Sequence, residues 1–491
     1  MIRPSRGRFL IAEHPLPLSL SLPLPDVDIY DLYRNIVVPG RPSFLLHSGK
    51  GPRTTARYSF FGSDPYLILD GRDGRCRVQR REVTDVREGD PFTFLADLLR
   101  SSRMPRPEGL PPFFGGAVAF FSYDLVRRFE SLPSHARKDV PWPDLRALFV
   151  DLVAAVDHTT QTLHLMFAPP LERLQNESRE KLYREGCDRV GELEARLMSG
   201  PGSRRTDTAA VHLTAAPEQS RESYMAQVRR CQELIRAGDI YQANLSHRFV
   251  VDGIGVSGLE AQAGALFQRL RRVNPSPFAA LFDCHDLLLV SSSPERLVRL
   301  DGRRAETRPI AGTRPRGRDL AEDRRLAEEL LSNAKERAEH LMLVDLERND
   351  LGRVCRYGTV SVDEFMVVER YSHVSHIVSN VAGELRPECD GFDLIRAVFP
   401  GGTITGVPKI RCMHVIEELE PVRRGPYTGS LGYLSWSGDL DLNILIRTLV
   451  LSAGRGYVQV GAGIVADSDP GAEYDETLFK AEALIEALRA P

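Results

Sequence analysis

The chain has 491 residues, of which 42% are hydrophobic and 27% charged, so it has ample apolar material for one large core or two domains. Its formal net charge of −3 comes from scattered acidic and basic residues, without a basic stripe or polybasic patch. This balance disfavours nucleic acid and membrane surfaces as partners. The seven cysteines are widely spaced and never form CxxC, which favours reduced thiols and a cytoplasmic location.

The first half of the chain is predicted to mix strands and helices. An apolar run from Leu16 to Leu24 is punctuated by prolines and lacks a small-residue cleavage site, so no signal peptide is predicted. Apolar residues at helical spacing predict helix over 171–198. Between 199 and 219 this periodicity is lost, and Gly, Pro, Ser and Thr accumulate. We therefore predict an N-terminal region over 1–200, a linker over 201–219 and a catalytic region over 220–487.

The catalytic region opens with a predicted helix and a predicted strand. Ser220 can cap a helix with apolar residues at helical spacing. The strand follows over 241–249, where side chains alternate between two faces. Gln242, Asn244 and Ser246 then share one face, and a polar face on a strand needs partners or a ligand.

Two further segments carry carboxylates three residues apart, which places them on one face of a helix. They are Glu336 with Glu339, and Glu473 with Glu476, the second pair in line with Lys480 in a helix that Asp469 can cap. Carboxylate oxygens from two helices suit Mg²⁺, which takes one or two protein carboxylates and keeps several waters. The alternative is that both faces are solvated and make i,i+4 ion pairs.

Three glycine-rich turns supply another signal: PIAGTRPRG, FPGGTITGVPK and GAGI. Backbone amides freed by glycine can bind carboxylates, and together with Arg447 and Lys480 such turns would suit a dianionic small molecule. None fits a dinucleotide or P-loop motif, and each alone is typical of a tight turn between strands. His340 and His376 are open to interpretation as core, surface or functional histidines.

These segments together closely resemble the chorismate-utilising enzymes, the family of anthranilate, aminodeoxychorismate, isochorismate and salicylate synthases. The resemblance covers residues 220–485 through GDIYQANLSHRF, SSSPERL, RPIAGTRPRG, KERAEHLMLVDLERNDLGRV, ERYSHVSHIVSNV, FPGGTITGVPK and GAGIVADSDPGAEYDET. It implies an α+β fold of stacked antiparallel sheets flanked by helices. It also implies a magnesium ion that grips the ring carboxylate of chorismate.

The resemblance assigns roles residue by residue. Glu339 and Glu476 match the metal ligands, with Glu336 and Glu473 as their neighbours. Glu295 resembles the general acid that protonates the departing C4 hydroxyl, a role that needs a raised pKa. His376 resembles the histidine that handles the enolpyruvyl group. The positions that match substrate-binding residues are Gly312, Thr313, Thr403, Tyr427, Arg447, Gly461, Gly463 and Lys480.

Gln242 indicates the nucleophile. Family members that form isochorismate or salicylate carry a lysine there as the base that activates water, and glutamine cannot act as that base. The resemblance therefore implies ammonia as the nucleophile, supplied by a separate glutaminase subunit.

The choice of product depends on smaller differences. YDLVRRFESLP, LLHSG, YQANL, GGTITG and GDLDLNILIRT favour amination at C4, as in aminodeoxychorismate synthases. Ala311 opposes this, because some of those enzymes place a nucleophilic lysine there and alanine cannot be one. Amination to anthranilate is therefore the runner-up, and a non-catalytic tryptophan-sensing or assembly subunit is the alternative of another class.

The N-terminal region carries one further cue, in LLHSG. Anthranilate synthases more often have LLES, whose glutamate helps to bind the inhibitor tryptophan, and His47 replaces it here. This argues against feedback by tryptophan. A structural tryptophan beside Ser48 is left open.

Overall fold

The computed structural model describes residues 1–12, 14, 16–49, 56–81, 83–199, 214–253, 259–371 and 374–489. Within these ranges the strands are β1 Leu18–Pro23, β2 Ser43–His47, β3 Tyr58–Ser63, β4 Leu67–Arg72, β5 Arg75–Arg80, β6 Val83–Glu88, β7 Gly116–Phe121, β8 Leu145–Val150, β9 Leu152–Asp157, β10 Thr162–Phe167, β11 Thr214–Pro217, β12 Gln242–Asp252, β13 Phe278–Asp283, β14 Leu287–Ser293, β15 Arg296–Asp301, β16 Arg304–Thr307, β17 Ile310–Pro315, β18 Ser361–Arg370, β19 Val374–Glu384, β20 Gly406–Val407, β21 Ser430–Ser435, β22 Leu440–Asn443, β23 Thr448–Ser452 and β24 Arg455–Ile464. The α-helices are α1 Arg6–Ile11, α2 Ile29–Ile36, α3 Pro91–Arg100, α4 Leu171–Asn176, α5 Arg179–Met198, α6 Arg221–Arg236, α7 Leu259–Val273, α8 Leu320–Ser332, α9 Ala334–Gly352, α10 Gly391–Val398, α11 Lys409–Leu419 and α12 Pro470–Arg489, and a 3-10 helix spans Tyr123–Arg128.

The strands form two large antiparallel sheets. The first has the order β1-β10-β9-β3-β2-β13-β14-β23-β24-β12-β11, with β20 added beside β12. The second has the order β17-β19-β16-β15-β22-β21-β7-β8-β4-β5-β6, with β18 added beside β19. The predicted α+β fold of antiparallel sheets and helices is confirmed.

Apolar side chains fill the space between the two sheets and beneath the helices. Phe120 from β7 and Leu289 from β14 belong to one buried cluster that joins the facing sides of the sheets. A second cluster packs α2, α5, α7 and α12 against the other side of the first sheet. On the second sheet, α3 packs against β4 and α9 against β17 and β19. The helices therefore cover the outer faces of both sheets, which keeps their apolar strands away from water.

Both halves of the chain contribute strands to each sheet. In the first sheet β2 pairs with β13, and in the second β7 pairs with β21. The predicted linker over 201–219 lies outside the described residues up to position 213, and its last part forms β11, which pairs with β12. The N-terminal and catalytic regions therefore share their sheets and their core.

Several predicted elements are confirmed, with one difference. Ser220 caps α6, where its side chain accepts a hydrogen bond from the Ser223 backbone amide at 3.2 Å. The stretch predicted as helix over 171–198 forms two helices, α4 and α5, because Ser178 caps a new helix by accepting from the Lys181 amide. Over the described part of the chain, every helix is too short or too polar to cross a membrane.

Candidate functional site

The site is built around a ladder of two strands, β12 and β24. Gln242 and Asn244 project from one face of β12, and the neighbouring β24 carries Gly461 and Gly463. A Cβ added at Gly463 would lie 2.6 Å from Gln242 Nε2, and one added at Gly461 would lie 2.6 Å from Asn244 Oδ1. The two glycines therefore provide the space that the two amide side chains occupy.

Helix α9 brings Glu339 to this ladder. Gln242 Nε2 donates a hydrogen bond to Glu339 Oε1 at 2.8 Å. Burial raises the pKa of Glu339, and the nearby Glu336 carboxylate raises it further, against the opposing effect of the Gln242 bond. One turn earlier, Glu336 pairs with Arg314 at 3.1 Å and contacts Gly312, whose φ of +63° requires glycine. The first acidic face is thus half-buried and points into the protein.

Helix α12 brings the second acidic face. Its first turn is capped as predicted, because Asp469 accepts a hydrogen bond from the Ala472 amide at 2.8 Å. Lys480 pairs with Glu476 at 2.7 Å and donates to the Gly461 carbonyl at 3.1 Å. Glu473 accepts a hydrogen bond from Ser468 at 2.6 Å, and burial raises the pKa of its carboxyl. Both acidic helices therefore reach the same stretch of β24, at Gly461 and Gly463.

The donor set fits magnesium by its chemistry. The carboxylates of Glu339 and Glu476 supply hard oxygens, and burial raises the pKa of Glu339, with the Glu336 carboxylate adding to a shift that a bound cation would oppose. Among the residues described, no three His, Cys, Asp or Glu side chains gather closely enough to form a metal cluster. Glu339 and Glu476 would therefore act as a pair of ligands, with water and substrate oxygens completing the coordination.

A second part of the site surrounds His376 on β19. Its Nδ1 lies 3.2 Å from the Gly312 carbonyl and 3.0 Å from the Thr313 hydroxyl. Since a carbonyl can only accept, Nδ1 carries the proton and Nε2 keeps a free lone pair. Burial lowers the pKa of His376 to about 4, and the positive charge of Arg447 contributes to this shift. At neutral pH the ring is uncharged and can accept a proton at Nε2.

Glu295 lies near Arg447 at the end of β14. Burial raises the pKa of Glu295 to about 7, although the Thr403 hydroxyl, the Ile310 backbone and the Arg447 guanidinium oppose the shift. Glu295 Oε1 has no hydrogen-bond partner in the described parts of the chain. A carboxyl that is half protonated at neutral pH can donate a proton to a substrate.

The structure brings the predicted residues into two connected groups. Around β24 lie Glu339, Glu476, Lys480 and Tyr427, whose hydroxyl would be 2.7 Å from a Cβ at Gly461. Around β19 lie the predicted residues Gly312, Thr313, His376, Arg447, Glu295 and Thr403. Gly312 joins the groups, because it contacts Glu336 on one side and the His376 ring on the other. On α9, Glu339 is half-buried and bonded to Gln242, whereas on α12 the exposed Glu476 makes an i,i+4 pair with Lys480, as the alternative of a solvated face predicts.

Two residues of this site have no role predicted from the sequence. Asn244 lies on the polar face of β12, and its alternation with Gln242 is the signal that indicates it. Tyr371 packs its ring 5.6 Å from the His376 ring, in an edge-on arrangement. Its hydroxyl donates to Glu369 at 2.6 Å, and no sequence pattern indicated this contact. His340 is a buried core histidine whose Nε2 lies 2.6 Å from the Ser379 hydroxyl.

His47 and Ser48 lie elsewhere, on the wall of a cavity of about 940 Å³ between the two sheets. His47 Nδ1 lies 3.1 Å from the Ser59 hydroxyl, and the Ser48 amide donates to the same oxygen at 3.0 Å. Two ion pairs line this cavity, Arg57 with Asp157 and Arg296 with Asp441. The predicted metal and substrate residues are absent from its lining, so this is a separate site.

The two stacked sheets, the buried acids and the neutral histidine define an α+β enzyme whose candidate site draws on β12 and β24 of the first sheet and β19 of the second. The sequence profile described as chorismate binding enzyme matches residues 41–486. The chain belongs to this family of chorismate-binding enzymes.

Similar proteins carry two different names. Anthranilate synthase component 1 of Thermus thermophilus is 44% identical over 487 residues, covering 99% of this chain and 98% of the relative. Aminodeoxychorismate synthase component 1 of Bacillus subtilis is 39% identical over 472 residues, covering 96% and 97%. The crystal structure of anthranilate synthase component I from Streptococcus pneumoniae matches with a TM-score of 0.76 at 33% identity, covering 87% of this chain and 92% of that one.

Proposed function

We propose that this chain aminates chorismate with ammonia, in a reaction that requires magnesium. The observation that carries the proposal is the bond from Gln242 to Glu339 at 2.8 Å. At the place where a base would have to activate water, the chain has an amide that cannot take a proton. Ammonia needs no such base, because its nitrogen lone pair attacks directly.

Glu295 would act as the general acid. As ammonia attacks the ring, the C4–O bond breaks, and the Glu295 carboxyl donates its proton so that the hydroxyl leaves as water. The attacking nitrogen then loses a proton to the Glu295 carboxylate, which restores the acid. Burial of the acid supports this role, since it raises the pKa of Glu295 to about 7 and keeps a protonated fraction at neutral pH.

Glu339 and Glu476 would hold the magnesium ion. When bound, the ion would supply positive charge to grip and orient the ring carboxylate of chorismate. Lys480, which already donates to the Gly461 carbonyl, would bind a carboxylate from the β24 side, and Arg447 would bind the second from the β19 side. Fixing both carboxylates would place C4 against Glu295.

For the product we propose 4-amino-4-deoxychorismate, the precursor of p-aminobenzoate, and this chain as the synthase subunit. Anthranilate is the second candidate, and a specific observation favours it. Ala311 is buried on β17 in register with Ile377 of β19, so no side-chain amine is available there for covalent attack on C2. C4 amination would therefore have to proceed by direct attack of ammonia.

One incubation separates the products. The purified chain is mixed with chorismate, magnesium and an ammonium salt, without any glutaminase. A product that yields p-aminobenzoate only after a lyase is added supports amination at C4, whereas direct appearance of fluorescent anthranilate supports the second candidate. Isochorismate as the only product would overturn the proposal, since water would then be the nucleophile.

We further propose that a glutaminase subunit supplies the ammonia in the cell, and that the cavity beside Ser48 holds a structural tryptophan. Calorimetric titration of the chain with tryptophan tests the second point. Binding without inhibition of turnover is the expected result, since His47 replaces the glutamate of LLES. Inhibition at the same concentration would indicate feedback control.

A further inference from the structure

Two amide oxygens in the site have nothing to bind. Gln242 Oε1 and Asn244 Oδ1 are both buried, and neither has a hydrogen-bond partner among the residues that the structure describes. A buried carbonyl oxygen without a donor is costly, and such atoms are rare in folded proteins. Their position beside the candidate metal and substrate residues makes a bound hydrogen-bond donor the natural partner.

The orientation of Gln242 is set by its neighbour. The Glu339 carboxylate is an acceptor when ionised, so the amide nitrogen of Gln242 must face it, as the 2.8 Å bond shows. The amide oxygen is therefore turned away from Glu339. Gln242 itself is only 5% exposed, so its oxygen is shielded from bulk water.

Asn244 stands two residues further along the same strand face. Its backbone is held on both sides, because its amide donates to the Thr405 carbonyl at 2.9 Å and its carbonyl accepts from Arg424 at 2.7 Å. Its Oδ1 rests against Gly461, where any larger residue would collide with it. The oxygen therefore lies close to the point where Lys480 meets β24.

We propose that Gln242 Oε1 and Asn244 Oδ1 together hold the attacking ammonia, with Asn244 as a specificity-determining residue for the nitrogen nucleophile. Two N–H groups of ammonia would each donate to one oxygen, and the lone pair would remain free for attack on the ring. Since carbonyl oxygens only accept, the pair selects a small molecule with at least two donors. The inference rests on the proposed amination of chorismate and adds the site of its second substrate.

The test measures two Michaelis constants for the same chain. Turnover of chorismate is followed with ammonium salt as the nitrogen source, and KM is determined separately for ammonium and for chorismate. For Asn244→Ala we expect KM for ammonium to rise about tenfold through loss of one hydrogen bond, with KM for chorismate changed less than about twofold. The kcat at saturating ammonium should stay near that of the unmodified chain.

Two further variants sharpen the test. Asn244→Asp keeps an oxygen at this position, so KM for ammonium should recover at least in part, and this variant also serves if Asn244→Ala fails to fold. Ser246→Ala is the matched control on the same strand face, because the Ser246 hydroxyl already bonds to Glu420 at 2.8 Å. It should leave KM for ammonium unchanged.

Any other result for the Asn244 variants would contradict the inference. A rise in KM for chorismate with unchanged KM for ammonium would make Asn244 a chorismate contact, and no change in either constant would leave it without a role. Absence of amination in the unmodified chain would remove the proposed function itself, which is distinct from a failure confined to the Asn244 variants.

Discussion

The cavity beside His47 and the candidate active site differ in how their polar groups are satisfied. In the cavity between the sheets, Arg57 bonds Asp157 at 2.9 Å and Arg296 bonds Asp441 at 2.8 Å. In the site around β12 and β19, Gln242 Oε1, Glu295 Oε1 and His376 Nε2 are buried without partners in the described part of the chain. The cavity and the unpaired groups therefore occur in different places. The unpaired groups, rather than the cavity, mark where we expect the reaction.

The largest expected effect comes from removing the negative charge of Glu339 in the candidate active site. Glu339→Gln should lower turnover on the order of 10³-fold, because an amide is a far weaker magnesium ligand than a carboxylate. Its melting temperature should change little, since burial already raises the pKa of this acid and the uncharged form costs less to bury. Ammonium-dependent turnover measures the loss of activity, and thermal unfolding measures the melting temperature.

Asp157→Asn is the matched exchange in the cavity. It weakens the pair with Arg57 and the bonds from the Thr159 and Thr160 amides, so stability should fall by about 1 kcal/mol while turnover is retained. If Glu339→Gln kept full turnover instead, the interpretation as a non-catalytic tryptophan-sensing or assembly subunit would gain support.

A smaller effect should appear in the pH dependence of turnover. Because the pKa of Glu295 is raised to about 7, the acid form is abundant below this pH and is lost above it. At constant free ammonia, kcat should therefore fall as pH rises through 7. Glu295→Gln should lower kcat by roughly 10²-fold and remove this limb of the profile. A limb that persists in the variant would assign the proton to another group.

Local features of the candidate site could be predicted from the sequence. The Ser220 and Asp469 caps and the alternation along β12 depend on a few neighbouring residues, and all three are found in the structure. Gln242 and Asn244 are therefore predicted to share one face of β12. The family resemblance adds that Gln242 stands where members that use water carry a lysine.

Contacts between distant segments could not be predicted. Gln242 meets Glu339 across 97 residues of chain, and the pairing of β2 with β13 joins both halves in one sheet. Periodicity reports which face of an element is apolar, but it does not say which element will cover that face. The cavity beside His47 is likewise formed by residues from both halves, so no single segment of sequence indicates it.

The smallest expected effect concerns the cavity, where His47 should influence stability but not turnover. Burial lowers the pKa of His47 to about 3, with the charges of Arg271 and His158 contributing. Below pH 6.5 the unfolded chain gains a proton at this residue, whereas the folded chain stays neutral until about pH 3. Stability is therefore lost as pH falls from about 6.5 towards 3. His47→Gln removes this titration, so its unfolding free energy should fall between pH 7 and pH 5 by about 2 kcal/mol less than that of the unmodified chain. Ser59→Ala, which removes the hydroxyl bonded to His47 without removing a titratable group, should lower stability equally at both pH values. Denaturant unfolding at pH 5 and pH 7 measures both, and an unchanged pH dependence in His47→Gln would show that this histidine is protonated in the folded protein.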